Sequence, residues 1–163
     1  MEDRWFRLGD RGRYPPQMKP PTEKDWNIAE NGIDLDIGSA YRTFNGKTHE
    51  QAVAMFEEAS EIYQEDVMWM PLACFRFYVR PYLEYLNSDG SAGDCDGSNC
   101  FFSLVEFRLN EILALDRELR NWIFDTVQFV GDNQKRFGAE PEIYGSFADR
   151  AANLLANRPP NGG

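Results

Sequence analysis

Residues 48–70 read THEQAVAMFEEASEIYQEDVMWM, and this stretch decides the fold expected for the chain. Thr48, with Gln51 three residues later, matches a capping box, which places the start of a helix at His49. Apolar side chains then recur at helical spacing and are expected to face a core: Ala52, Met55, Phe56, Ala59, Ile62 and Tyr63. The sequence therefore predicts a helix from about His49 to Met68, separated from the next helix by Pro71.

The chain after Pro71 continues in helical patterns. Residues 72–86 are rich in aromatic side chains, and apolar positions surround most of the axis, which is typical of a central buried helix that Pro81 would kink. Residues 87–99 are rich in Gly, Asp, Ser and Asn and predict a loop. A further helix is expected from Cys100 to about Leu115. Asp116 either caps a second helix or lies inside a continuous one, and Gly131 is expected to follow its end. The last expected helix is Phe147 to Ala156.

The pattern before residue 48 is instead one expected for strands. Residues 33–37, Ile-Asp-Leu-Asp-Ile, alternate apolar and acidic, and Gly38-Ser39 leads into the strand-like run from Ala40 to Phe44. Two such runs joined by Gly-Ser predict a β-hairpin with a type II′ turn. The expected fold class is therefore α+β and mainly α, with an extended N-terminal arm, one β-hairpin and a bundle of four or five helices.

Residues 1–24 differ in composition from the rest of the chain. They hold six basic and four acidic residues, whereas the whole chain of 163 residues has a net charge of -10. Four prolines remove backbone donors and fix φ in this segment: Pro15, Pro16, Pro20 and Pro21. We expect an extended, basic, proline-rich arm at residues 1–24 and a single globular, mainly helical domain at residues 25–163.

Composition and missing motifs exclude several classes of function. The net charge of -10 argues against a general nucleic-acid binder, which must supply positive charge to displace counterions. The single histidine excludes metal sites that need two, and the chain contains neither a phosphate-binding glycine motif nor a Gly-x-Ser-x-Gly elbow. We therefore predict no catalytic residue, no metal site and no cofactor, and we favour a protein that is not an enzyme.

The chain shows no pattern of a secreted or membrane-spanning protein. The N-terminus lacks a secretory pattern, and the most apolar stretch, residues 67–86, contains charged side chains and proline. We therefore expect a cytoplasmic protein without a membrane span.

The thiols and the acidic loop leave two questions open. Reduced thiols are expected in the cytoplasm, although Cys95 and Cys100 could pair. The loop from Asp89 to Asp96 is expected to be flexible and solvated, with ion binding as the alternative.

Five carboxylates on the helix predicted after Thr48 form what we call the acidic stripe: Glu57, Glu58, Glu61, Glu65 and Asp66. No Lys or Arg occurs between Lys47 and Arg76, so no basic neighbour on the helix offsets a repulsion of about 0.2–0.5 kcal/mol per like-charged pair. We interpret the stripe as the binding surface for a basic protein partner, which this protein would neutralise as an immunity protein or antitoxin does. A solvated face that contacts the basic arm, and a carboxylate metal site, are the alternatives.

Two other functions remain open at this point. A small-molecule-binding protein or enzyme could hold an anionic ligand in a pocket lined by Arg76, Arg80, Tyr78, Tyr82 and His49. Packing of the tyrosines in the core is the competing interpretation of the same residues. A structural or phage-type assembly component would self-associate, and the sequence does not determine the oligomeric state.

Overall fold

A computed structural model describes residues 18–28 and 34–160, and the regular structure within these ranges is entirely helical. A 3₁₀ turn at Asp89–Ser91 precedes the fifth of the helices. The α-helices in the described ranges are α1 Glu23–Trp26, α2 Leu35–Phe44, α3 His49–Trp69, α4 Leu72–Asn87, α5 Cys95–Phe107, α6 Leu109–Leu113, α7 Arg117–Asp132, α8 Pro141–Tyr144 and α9 Phe147–Leu155.

The helices pack around α4, which is buried over most of its circumference, as its sequence predicts. α3 lies along α4 and also contacts α2 and α5, while α7 packs on the other side of α4 and supports α9. Pro81 lies inside α4 without ending it. The core is mainly aromatic, and several of its largest side chains have no exposed surface: Trp26, Phe44, Phe56, Phe75, Tyr78, Tyr82, Phe101 and Phe124.

The predicted β-hairpin is wrong, and with it the α+β class. Residues 35–44 form helix α2, and no strand occurs in residues 18–28 or 34–160. The side chain of Asp34 accepts hydrogen bonds of 3.0 Å from the backbone N–H groups of Asp36 and Ile37. Asp34 is therefore a helix N-cap, because its side chain satisfies backbone donors that a helix start leaves without a partner.

The same segment also contains a helical spacing that the alternation of residues 33–37 obscured. Ile37, Ala40, Tyr41 and Phe44 fall at i, i+3, i+4 and i+7, and this face packs on α3, with Ala40 and Phe44 fully buried. Leu35, one of the apolar positions of that alternation, is 83% exposed. A local alternation of five residues was thus overridden by a longer helical pattern and by burial.

Helix α3 confirms the helix predicted from residues 48–70 and ends one residue later than expected. Ile62 was expected to face the core, and that expectation is wrong, because its side chain is 60% exposed. The backbone N–H of Gln51 donates to Thr48 Oγ1 at 3.2 Å, and that of Thr48 donates to Gln51 Oε1 at 2.9 Å. The helix is kinked at Ala59, where φ is -158° and ψ is 67°. Pro71 stands at the N-cap of α4, so α3 and α4 are separate helices, as predicted.

The C-terminal half differs from prediction mainly at helix starts. α5 begins at Cys95 rather than Cys100, because the Asp94 carboxylate accepts the Gly97 N–H at 2.9 Å and caps the helix. Arg108 separates α5 from α6, so the helix expected from Cys100 to about Leu115 is two helices. Asp116 caps α7 and Ser146 caps α9, as predicted. Gly131, which was expected to end the helix, lies within α7.

The predicted arm falls largely outside the described residues. Its described part, residues 18–24, ends in the first turn of α1, where Thr22 and Asp25 form a capping box. Trp26 then packs its ring against Tyr41 and Tyr78 at centroid distances of 5.7 and 6.1 Å. Residues 18–22 of the predicted arm have no regular structure, and Glu23 and Lys24 begin the short helix that Trp26 anchors on the core.

Candidate acidic interaction surface

The acidic stripe lies on the solvent face of α3. Residues 56, 60, 64 and 67 turn towards the core, and the opposite face carries Glu57, Glu58, Glu61 and Glu65, which are exposed, whereas Asp66 is partly buried. None of the ion pairs between described residues involves a stripe carboxylate. The four glutamates of the stripe therefore keep their charge available to solvent within the part of the chain that the structure describes.

Beside the stripe, α2 and α3 enclose a groove with a volume of about 280 Å³, which we call the α2/α3 groove. It combines carboxylates, hydroxyls and apolar or aromatic side chains: Asp36, Ser39, Thr43, Ile62, Tyr63, Glu65, Asp66 and Trp69. Ser39 Oγ donates to Asp66 Oδ1 at 3.0 Å. Burial raises the pKa of the Asp66 carboxyl above its ordinary value, while hydrogen bonds from Ser39 and Thr43 partly oppose that rise.

Apolar side chains next to the groove are unusually exposed for a helical face. Ile62 is 60% exposed and Trp69 is 36% exposed. The Trp69 ring meets the Phe107 ring edge-on at a centroid distance of 4.9 Å, and Phe107 is itself 56% exposed. The end of α3 is held against α5 by Arg108, whose Nη1 donates to the carbonyl oxygens of Val67, Met68 and Met70.

The second acidic region, around Asp94, is used internally. Asp94 Oδ2 accepts hydrogen bonds from the hydroxyls of Ser60 and Tyr85, the latter at 2.5 Å, while Oδ1 accepts the Gly97 N–H. We call this arrangement the Asp94 clamp, because it joins α3, α4 and α5. No group of side chains spaced to hold a metal ion occurs among the described residues.

The negative charges of the stripe and of the Asp94 region act on the same buried groups. Burial raises the pKa of the Tyr85 hydroxyl, and the hydrogen bond to Asp94 and the charge of Glu61 raise it further. Burial also raises the pKa of the Cys100 thiol, with added contributions from Asp96, Asp94 and Glu61. Glu61 of the acidic stripe and Asp94 are therefore both close enough to Tyr85 and Cys100 for their charges to act on these groups.

The residues predicted to line an anionic-ligand pocket are placed differently. Tyr78 and Tyr82 have no exposed surface, and their hydroxyls donate to backbone carbonyls, that of Tyr78 to Phe44 and Lys47 and that of Tyr82 to Gly97. The guanidinium of Arg80 is buried, with Nε donating to the Arg76 carbonyl, and Arg76 is exposed. His49 Nε2 contacts Glu84 Oε2 between α3 and α4.

The sequence predicted the acidic stripe, but it did not predict the α2/α3 groove or the Asp94 clamp. The groove required α2 to be a helix, and the Asp94 clamp joins residues that are 34 apart in sequence, such as Ser60 and Asp94. The signals that could have revealed them are the spacing of Ile37, Ala40, Tyr41 and Phe44 and the position of Asp94 three residues before Gly97. Both signals are local, whereas the contacts they support are not.

None of the described helices is both long enough and apolar enough to cross a membrane. The chain matches no family model, no curated protein and no solved structure.

Proposed function

We propose that this protein binds a basic protein partner through the acidic stripe of α3. The observation that carries the proposal is the exposure of Glu57, Glu58, Glu61 and Glu65 on one face, without an ion pair to any described basic side chain. Such a face costs the isolated helix stability through like-charge repulsion. A basic partner offsets that repulsion, and complementary charge both speeds and selects its association.

Inhibition is the specific form of this function that we favour. A partner whose own activity requires exposed Lys and Arg side chains, such as a nuclease that contacts phosphates, is blocked when an acidic surface covers them. An immunity protein or antitoxin-like inhibitor in the cytoplasm works in this way. The small size and net charge of -10 support the assignment, together with the absence of a recognisable catalytic motif.

Site-specific photo-crosslinking tests the proposal in the full-length chain. A photoreactive amino acid replaces Ala54, which is exposed on α3 one turn before Glu57 and Glu58 and does not line the α2/α3 groove. The matched control places the same group at Ala152, an exposed position on α9. A third sample carries the Ala54 crosslinker together with Glu57→Lys, Glu58→Lys and Glu61→Lys.

We expect an adduct from position 54 with a protein identified as rich in Lys and Arg. This adduct should be absent from position 152 and lost in the charge-reversed sample, whose folding is checked by circular dichroism. Equal adducts at both positions, an adduct that survives charge reversal, or adducts only with acidic proteins would contradict the proposal.

A further inference from the structure

The α2/α3 groove is small for a metabolite pocket and large enough to hold side chains. Ligand pockets commonly enclose about 300–1,000 Å³ and bury most of the ligand. The α2/α3 groove has a volume of about 280 Å³ and lies on the surface between two helices. A cleft of this size accommodates one or two side chains that project from a larger molecule.

The apolar side chains at the groove indicate that the larger molecule presents apolar groups. Ile62 is 60% exposed and Phe107 is 56% exposed, and Trp69 lies between the groove and Phe107. Burying these side chains against an apolar partner is favourable, because it removes apolar surface from water. Trp is also among the residues most often found at the energetic centre of interfaces.

The charge around these apolar groups selects the occupant. Asp36, Glu65 and Asp66 line the groove, and the adjacent part of α3 adds the other stripe carboxylates. Arg42 is the basic side chain whose charge acts on Asp66, and it does not balance this number of carboxylates. A second copy of the chain, with a net charge of -10, would meet this surface with like charge.

We propose that the α2/α3 groove binds an amphipathic segment of a basic protein, with apolar side chains beside Ile62 and Trp69 and Lys or Arg side chains paired with Asp36 and Glu65. This inference rests on the proposed function and names the chemistry of the partner's contact segment. Arginine suits the site particularly well, because its guanidinium stacks on aromatic rings and forms paired hydrogen bonds with carboxylates.

Three fluorescent synthetic peptides test the proposal against the full-length protein. The first is an amphipathic helix of Leu and Arg, the second is a scrambled isomer of identical composition without an apolar face, and the third keeps the apolar face but has Gln in place of Arg. Affinities are measured by fluorescence anisotropy for the wild type and for Trp69→Ala and Glu65→Gln. Glu118→Gln, an exposed position at the start of α7, is the matched control.

We expect the first peptide to bind about tenfold more tightly than either of the others, which is the effect of losing one good contact. Trp69→Ala and Glu65→Gln should each weaken the first peptide by about three- to tenfold, whereas Glu118→Gln should leave it unchanged. Equal binding of the first and second peptides would show attraction by charge alone and would overturn the inference. Unchanged affinity in both groove variants would overturn it as well.

The two proposals fail separately. One outcome is that crosslinking at Ala54 is lost on charge reversal while the peptides show no preference for an apolar face. In that case the acidic stripe binds the basic partner, and the α2/α3 groove takes no part in that binding. If the peptides bind as expected but no partner depends on Glu57, Glu58 and Glu61, the groove is a docking site and the proposed function of the stripe is wrong. Self-association of the chain, seen by light scattering and lost in Trp69→Ala, would assign the groove to a second copy and overturn the inference.

Discussion

The hydroxyl of Ser39 on α2 donates a hydrogen bond of 3.0 Å to Oδ1 of Asp66 on α3, across 27 residues of sequence. This contact fixes the orientation of α2 on α3 and forms part of the wall of the α2/α3 groove. It also connects the fold to the candidate site, because Asp66 belongs to the acidic stripe as well. The predicted hairpin would have placed Ser39 in a turn instead.

The partly buried carboxyl of Asp66 gives a pH dependence of defined sign. Burial raises its folded-state pKa above the ordinary value of 3.8, so the folded chain holds this proton more tightly than the unfolded chain does. The resulting stabilisation is complete below pH 3.8 and is lost as the pH rises through the raised value. Urea unfolding should therefore show the wild type losing stability relative to Asp66→Asn over that window.

Ser39→Ala provides the internal check on this prediction. The hydrogen bond from Ser39 lowers the pKa of Asp66, so its removal should raise that pKa further and shift the window to higher pH. The variant should also lose about 1 kcal/mol of stability near neutral pH. A difference between wild type and Asp66→Asn that does not change with pH, or that grows in favour of the wild type as the pH rises, would contradict the assignment.

Two glycines inside helices should respond in opposite directions to alanine. A Cβ at Gly38 in α2 would approach only the end of the Arg42 side chain, at 3.3 Å, so the higher helix propensity of alanine should stabilise the fold by about 0.5–1 kcal/mol. A Cβ at Gly97 would lie 2.2 Å from Ser60 Oγ and 2.3 Å from Asp94 Oδ2. Gly97→Ala should therefore disrupt the Asp94 clamp and destabilise by about 1–3 kcal/mol.

Gly38→Ala also tests the helix against the hairpin directly. A type II′ turn requires a positive φ at its first central residue, which alanine adopts poorly. The hairpin therefore predicts that Gly38→Ala is destabilising, whereas helix α2 predicts the opposite. Thermal unfolding of both glycine variants beside the wild type distinguishes the two structures.

The Asp94 clamp should contribute more to stability than an ordinary helix cap. Asp94→Ala removes the cap of α5 and the acceptor of Ser60 and Tyr85, with an expected loss of about 3 kcal/mol. Asp116→Ala removes a cap in which the side chain accepts only the Leu119 N–H, and it should cost about 1 kcal/mol. Similar losses for the two variants in denaturant unfolding would show that the interhelical bonds add nothing.

The three cysteines should remain free thiols of unequal reactivity. Cys95 and Cys100 both lie on α5, where ideal helix geometry separates Cα atoms five residues apart by about 8–9 Å, beyond the reach of a disulfide. Burial raises the pKa of Cys74 to about 12, so this thiol should react with an alkylating reagent only after unfolding. Mass spectrometry after mild oxidation and alkylation of the native protein checks both points, and a Cys95–Cys100 disulfide would contradict the start of α5.

The sequence predicted the parts of the fold that depend on local or repeated patterns. The capping box at Thr48, the buried helix of residues 72–86 and the cap at Ser146 are all present, because each is determined by neighbours within one or two turns. Helix α2 was missed because residues 33–37, which overlap its first turn, alternate in polarity, so the local pattern alone could not separate strand from helix. The burial of Ala40 and Phe44 against α3 favours the helix over the strand.

The candidate site, like the fold, was predicted only where it depends on the pattern within one helix. The acidic stripe follows from spacing on one helix, and the structure places four of its carboxylates in solvent. The α2/α3 groove depends on how two helices pack, and the role of Asp94 depends on contacts with Ser60 and Tyr85 on other helices. Local spacing indicates the helices that carry these residues, but it does not determine the contacts between helices that form the groove and the clamp.

The most direct test of the central claim is the affinity for the crosslinked partner, measured by calorimetry with two charge-matched triple variants. One reverses Glu57, Glu58 and Glu61 to Lys on α3, and the other reverses Glu118, Glu140 and Glu142, which are exposed and lie outside the stripe. We expect binding to be weaker by about tenfold or more for the first variant alone, and the wild-type affinity to fall as the salt concentration rises from about 0.05 to about 0.3 M. Equal losses in both variants would contradict it, because the net charge rather than the acidic stripe would then determine binding.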